Sequence, residues 1–114
     1  MHELSLTHDM LAIAIKQGER YKAKKILSLK LKIGALTMLD PECFKFYFEQ
    51  FSKDTIAEGA LLVFEKVDIQ IECKSCGITS NVKDFMMLCP LCYSPNVKLL
   101  SGQEILLEDI EVDL

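Results

Sequence analysis

Two Cys-x2-Cys pairs constrain this chain more than anything else in it. Cys73-Lys74-Ser75-Cys76 and Cys89-Pro90-Leu91-Cys92 are separated by twelve residues. Two residues between thiolates let both sulfurs of a tight turn converge on one ion, and two such knuckles facing each other close a tetrahedral shell. Four soft donors with no open position suit structural zinc and leave no catalytic water. The only histidines, His2 and His8, are far away in sequence, so no imidazole competes locally for the shell.

Other readings of these cysteines fit less well. Five cysteines are an odd count for a disulfide framework, and paired disulfides are rare in a reducing compartment. Cys-Pro-Leu-Cys is also a familiar half of a rubredoxin-like iron site. Against iron, Cys92 is followed by Tyr93 in place of Gly, the chain has no Trp and the spacer is short.

With 114 residues, 50% of them hydrophobic and 26% charged, the chain has room for one small domain carrying a mini-domain. A formal charge of −4 argues against a basic nucleic-acid-binding surface. The charge is sorted: residues 16–32 hold seven Lys or Arg and one Glu, whereas residues 101–114 hold five acids and no base. No apolar run approaches the roughly 18 residues needed to cross a bilayer. Glu3 and Asp9 stand where a secretory signal would be positive. A cytoplasmic protein is expected.

Residues 4–20 read as a helix, with Leu4, His8, Leu11 and Ile15 at helical spacing and Gly18 closing the pattern. Leu27, Leu29, Leu31, Ile33 and Ala35 alternate with Ser28, Lys30, Lys32 and Gly34, which predicts a half-buried strand. Asp40-Pro41-Glu42 offers an N-cap, a first-turn proline and a first-turn acid. A second helix over 41–53 follows, with Phe44, Tyr47, Phe48 and Phe51 on one face and Cys43 as a small packing residue. Residues 61–64 begin an extended stretch whose alternation, Val67, Ile69, Ile71 and Cys73, leads into the first knuckle. Alternation resumes after Gly102, with Leu106, Ile110, Val112 and Leu114 opposite Asp109, Glu111 and Asp113. Laid beside 27–35, that strand would set acids against Lys30 and Lys32. The expected architecture is α+β: a small sheet of about three strands packed with two helices, plus an inserted four-cysteine zinc-ribbon-like domain. The expected limits are 1–68, completed by 101–114, and 69–100 for the zinc domain.

Met1-His2-Glu3 has a specific chemistry available to it. A free amine, the amide nitrogen of residue 2 and the His2 imidazole can chelate one ion through adjacent small rings, and nitrogen-rich planar donors favour Ni2+ or Cu2+ over Zn2+. The plain alternative is an exposed chain start with a solvated histidine. Glu3 also serves as a helix-dipole acid.

Met-His-Glu-Leu-Ser at the start, Ile33-Gly34 followed by Asp40-Pro41-Glu42 and a Phe-rich helix, and the two cysteine pairs together resemble the HypA family. That family comprises small nickel metallochaperones serving maturation of nickel-iron hydrogenase. The resemblance covers essentially the whole chain. It implies nickel held by His2, through imidazole and amide, with the Met1 amine and the backbone at Glu3, and with Asp40 near the metal in some accounts. It implies zinc at Cys73, Cys76, Cys89 and Cys92. The implied partners are a HypB-type GTPase, the immature hydrogenase large subunit and, for some members, urease accessory proteins, the chain being a monomer or homodimer without nucleic acid or membrane. From the residues themselves an enzyme is the poorest reading, since they offer no nucleophile, base and orienting group together and no glycine-rich phosphate loop. The competing non-carrier reading is a zinc-ribbon adaptor for nucleic acid or protein, given Lys74, Lys83, Lys98, Phe85 and Tyr93 around the knuckles.

Overall fold

A computed structural model describes residues 3–83 and 87–114. The first helix, α1, spans Glu3–Arg20, and it buries Thr7, Met10, Leu11, Ala14 and Gly18. Of the expected stripe, Leu11 and Gly18 lie inside and the other residues do not. Leu4 is 50% exposed, Ile15 is only half-buried and His8 is exposed, its ring edge-on to Phe51 at the rim. Small residues win the inner face because they let the helix sit close to its neighbours: a Cβ on Gly18 would come within 2.9 Å of the Ile56 side chain.

Strand β1, Lys25–Gly34, buries Ile26, Leu29, Leu31 and Ile33. The alternation therefore slips by one residue at 27–28, and Leu27, expected inside, is 42% exposed. A single 3-10 turn, Ala35–Thr37, follows. Helix α2, Pro41–Phe51, is capped by Asp40, whose side chain accepts a hydrogen bond from the Glu42 backbone N–H. It buries Phe44 and Phe48, with Phe44 edge-on to Phe64 at 5.7 Å, while Tyr47 and Phe51 lie toward the surface.

The expected continuous strand up to the first knuckle is two strands. Strands β2, Leu61–Val67, and β3, Ile69–Cys73, break at Asp68 and belong to different sheets. The remaining strands are β4, Thr79–Val82, β5, Val97–Ser101, and β6, Ile105–Asp113. One sheet has the order β2-β1-β6 and the other β4-β3-β5, so the architecture is α+β with three strands in each sheet. The C-terminal strand does lie beside β1. Lys24 N–H donates to Asp113 O at one end and Gly34 N–H to Glu104 O at the other, which makes the pair antiparallel. On its outer face Lys32 lies 3.7 Å and Lys30 4.0 Å from Glu108, and Lys30 also reaches Glu65 of β2.

The chain divides into two compact units. The first comprises Met1–Lys32, Leu39–Glu65 and Leu106–Leu114, and the second Ile33–Met38 and Lys66–Ile105. Within the second unit β3 is central, antiparallel to both β4 and β5, and buries Ile69, Ile71 and Cys73. Leu36 N–H donates to Gly102 O at 2.7 Å. The backbones here approach so closely that a Cβ on Gly34 would overlap the Gly102 carbonyl. Gly102 itself has φ +115°, and a Cβ there would come within 2.9 Å of the Ile69 Cα.

Gly34→Ala is expected to destabilise the fold by about 3 kcal/mol or more, since backbone must move. Gly59→Ala, at φ +77° but in open space, is expected to cost only about 1 to 2 kcal/mol, the left-handed penalty. Urea midpoints of the two variants measure the difference, and equal midpoints would contradict the close approach.

Candidate metal centres

The two cysteine pairs fold into matching knuckles. Gly77 N–H donates to Cys73 O at 2.9 Å, and Tyr93 N–H donates to Cys89 O at 2.8 Å. The residue after each pair turns left-handed, Gly77 at φ +80° and Tyr93 at φ +61°. Within each knuckle the second cysteine's N–H points at the first sulfur, from Cys76 to Cys73 Sγ at 3.3 Å and from Cys92 to Cys89 Sγ at 3.5 Å. The knuckles meet crosswise: Cys73 Sγ lies 3.5 Å from Cys92 Sγ, and Cys76 Sγ lies 3.6 Å from Cys89 Sγ. Cys73 and Cys89 are buried, whereas Cys76 and Cys92 are exposed. A hydroxyl pair missed in the sequence, Ser75 Oγ and Ser94 Oγ at 2.8 Å, links the two turns from outside. No spacing rule connects two serines nineteen residues apart, so only the assembled knuckles reveal it.

All four sulfurs lie within 4.8 Å of one another. Tetrahedral zinc–thiolate bonds of about 2.3 Å place sulfurs about 3.8 Å apart, so one ion fits this cage with small adjustments. The proton affinities of the cage are uneven. The Cys76 backbone N–H holds the Cys73 thiol down to about 6, from an ordinary value of 9.0. Cys89 is lowered likewise, first by the Cys92 backbone N–H. For Cys92 the Ser94 backbone N–H is the largest single influence and favours the thiolate, but the hydrogen bond to Cys73, burial and the hydrogen bonds to Cys89 and Cys76 together outweigh it, and Cys92 is pushed up to about 12. In each knuckle, then, the buried first cysteine is the more acidic and the exposed second cysteine holds its proton more tightly.

At the other expected site the described residues begin with Glu3; Met1 and His2 lie outside them, as does Phe85 of the adaptor reading. Asp40 uses both carboxylate oxygens, Oδ1 accepting from Glu42 N–H at 3.0 Å and Oδ2 from the Cys43 thiol at 3.4 Å. The N-cap role of Asp40 is therefore fulfilled. Cys43, expected to be a packing residue, is exposed. Its thiol is held up by that hydrogen bond to Asp40, then by partial burial, and then by the negative charges of Asp40 and Glu3. The acids that open α1 and α2 thus act on one thiol, which places Glu3 and Asp40 at the same end of the helix pair.

A small two-sheet α+β chain whose four cysteines are gathered at one point defines a candidate metal-binding protein. The family model described as "Hydrogenase/urease nickel incorporation, metallochaperone, hypA" matches residues 1–112, and the chain belongs to this HypA family. A hydrogenase maturation factor HypA from Caldanaerobacter subterraneus subsp. tengcongensis is 38% identical over 99% of this chain and 100% of its own length. The HypA of Aquifex aeolicus is 32% identical over 100% of this chain and 99% of its own. The solution structure of the Ni metallochaperone HypA from Helicobacter pylori aligns with a TM-score of 0.71 at 26% identity, covering 99% of this chain and 98% of that one.

Because Cys73 is already largely ionised at neutral pH, loading Zn2+ at pH 7 is expected to release fewer than four protons per ion. A thiol whose pKa falls on folding stabilises the folded unit above its ordinary value of 9.0, and that contribution fades as pH drops through about 6. Zinc affinity and the stability of the zinc-free unit should both decline across that interval. Proton release measured in weak buffer tests this, and four protons per ion at pH 7 would contradict it.

Proposed function

We propose that this protein carries Ni2+ to the immature large subunit of a nickel-iron hydrogenase, receiving or passing the ion together with a HypB-type GTPase, with urease as a second client. Family membership over residues 1–112 is the observation that carries this reading. Nickel is the cargo. It would be bound by the Met1 amine, the His2 amide and imidazole and the backbone at Glu3, with Asp40 at its border. The convergence of Glu3 and Asp40 on Cys43 supports an electronegative environment at that end of the helices.

Zinc would be held by Cys73, Cys76, Cys89 and Cys92, where it supplies a cross-link and no chemistry. The reading assigns nickel to 1–68 with 101–114 and zinc to 69–100. A carrier must hold its ion tightly enough to select it and still let it go. A terminal chelate meets both needs, since few packed neighbours fix it and its ligands can leave one at a time. Protonation of the imidazole and amine weakens the site as pH falls. The carrier would work in the cytoplasm, where thiols stay reduced. Among the described residues no helix is long and apolar enough to cross a membrane.

Zinc-loaded protein with its native start is expected to bind one Ni2+ with a planar-type absorption spectrum. His2→Ala and a chain extended ahead of Met1 should lose that band while keeping their zinc, and Asp40→Asn should weaken nickel roughly tenfold. Ni2+ titrations followed by absorbance decide the matter. Equal binding by the native, His2→Ala and extended chains would overturn the proposed site.

A further inference from the structure

Strand β6 ends its sheet, and among the described residues nothing pairs with its outer edge. Its inner face is also incompletely covered. Leu107, Ile110 and Val112 form one wall of an open groove of about 360 Å³, whose other wall is Ile13, Gln17 and Gly18 of α1 with Tyr21 of the turn after it. The sequence pattern predicts Leu106 on this face. The alternation instead slips at 108–109, so Leu107 lines the groove and Leu106 is 53% exposed. Ile13 and Tyr21 are exposed too, at 49% and 66%. An apolar groove running beside an open strand edge is what an added strand needs: main-chain partners along the edge and a slot for every second side chain.

The opposite edge of β6 indicates which strand it accepts. There β1 sets Leu29 and Leu31 inward and Lys30 and Lys32 outward, against Glu108, while the Ser28 hydroxyl donates to Glu111 at 3.2 Å. Asp109, Glu111 and Asp113 have no ion-pair partner among the described residues. A second copy of β6 on this edge would set acid against acid, which is destabilising. We propose that the open edge of β6 and its groove dock an extended segment of a partner protein in which apolar and cationic residues alternate. The apolar residues would enter the groove, and the Lys or Arg side chains would meet Asp109, Glu111 and Asp113. This docking does not depend on the nickel reading.

The test uses the full chain, zinc-loaded and labelled with 15N, and a capped peptide copying residues 28–33, Ser-Leu-Lys-Leu-Lys-Ile. The control peptide carries Glu at both Lys positions. Amide shifts and slowed hydrogen exchange confined to 106–113, with shifts at Ile13 and Tyr21, are expected with the Lys peptide and not with the Glu peptide. Asp109→Lys with Asp113→Lys, and separately Ile13→Glu, should each weaken binding by about tenfold or more. Both variants change exposed side chains, and an unchanged melting temperature confirms their fold. Any of four results overturns the proposal: no shifts at millimolar peptide, equal response to the Glu peptide, shifts on β2 from displacement of β1, or dimerisation of the chain through β6 without peptide.

Discussion

The antiparallel pairing of β6 with β1 is the contact on which the rest of this structure depends. It joins the last strand of the chain to the first, so that everything from β3 to β5 is placed between two strands of the other sheet in sequence order. Its ends are fixed by the Lys24–Asp113 and Gly34–Glu104 backbone bonds, and its outer face by Lys30 and Lys32 on Glu108. Part of the charge segregation along the chain, Lys30 and Lys32 early and Glu108 late, is thereby explained. Those three residues are a cross-strand pairing of one sheet written at opposite ends of the sequence.

The thiolate cage has a different physical basis. Four sulfurs gathered within 4.8 Å cannot all be ionised without a cation. The backbone N–H groups of each knuckle favour charge on the buried first cysteine, and the proton remains on its crosswise neighbour. A bound ion would replace that proton sharing with four bonds and would lock together two turns that the Ser75–Ser94 hydroxyl pair already links. Structural metal of this kind compensates for a core too small to hold such a module alone.

Legibility in the sequence followed the strength of each local signal. Doubled Cys-x2-Cys spacing specifies geometry within a few residues, so all four cage cysteines could be named from it. The Asp-Pro-Glu cap is equally local, and α2 begins at Pro41 with Asp40 as its cap. Periodicity served less well where the inner face is made of small residues. Thr7, Ala14 and Gly18 carry little hydrophobic signal, yet close packing puts them inside in place of Leu4 and Ile15. One-residue slips in β1 and β6 reverse Leu27 and Leu106, because strict alternation cannot foresee an extra residue. Cys43 also departs from its expected place: its exposed thiol donates to the capping Asp40 in place of packing with Phe44 and Phe48. The Ser75–Ser94 link depends wholly on tertiary structure and left no mark on the sequence.

The central claim is that this chain handles two metals with two chemically distinct donor sets. X-ray absorption at the zinc and nickel edges of protein loaded with one equivalent of each measures both shells in one sample. Four sulfur neighbours at about 2.3 Å around zinc, and a nickel shell of nitrogen and oxygen without sulfur, is the result this account requires. Sulfur in the nickel shell, or a zinc shell with fewer than four sulfurs, would contradict it.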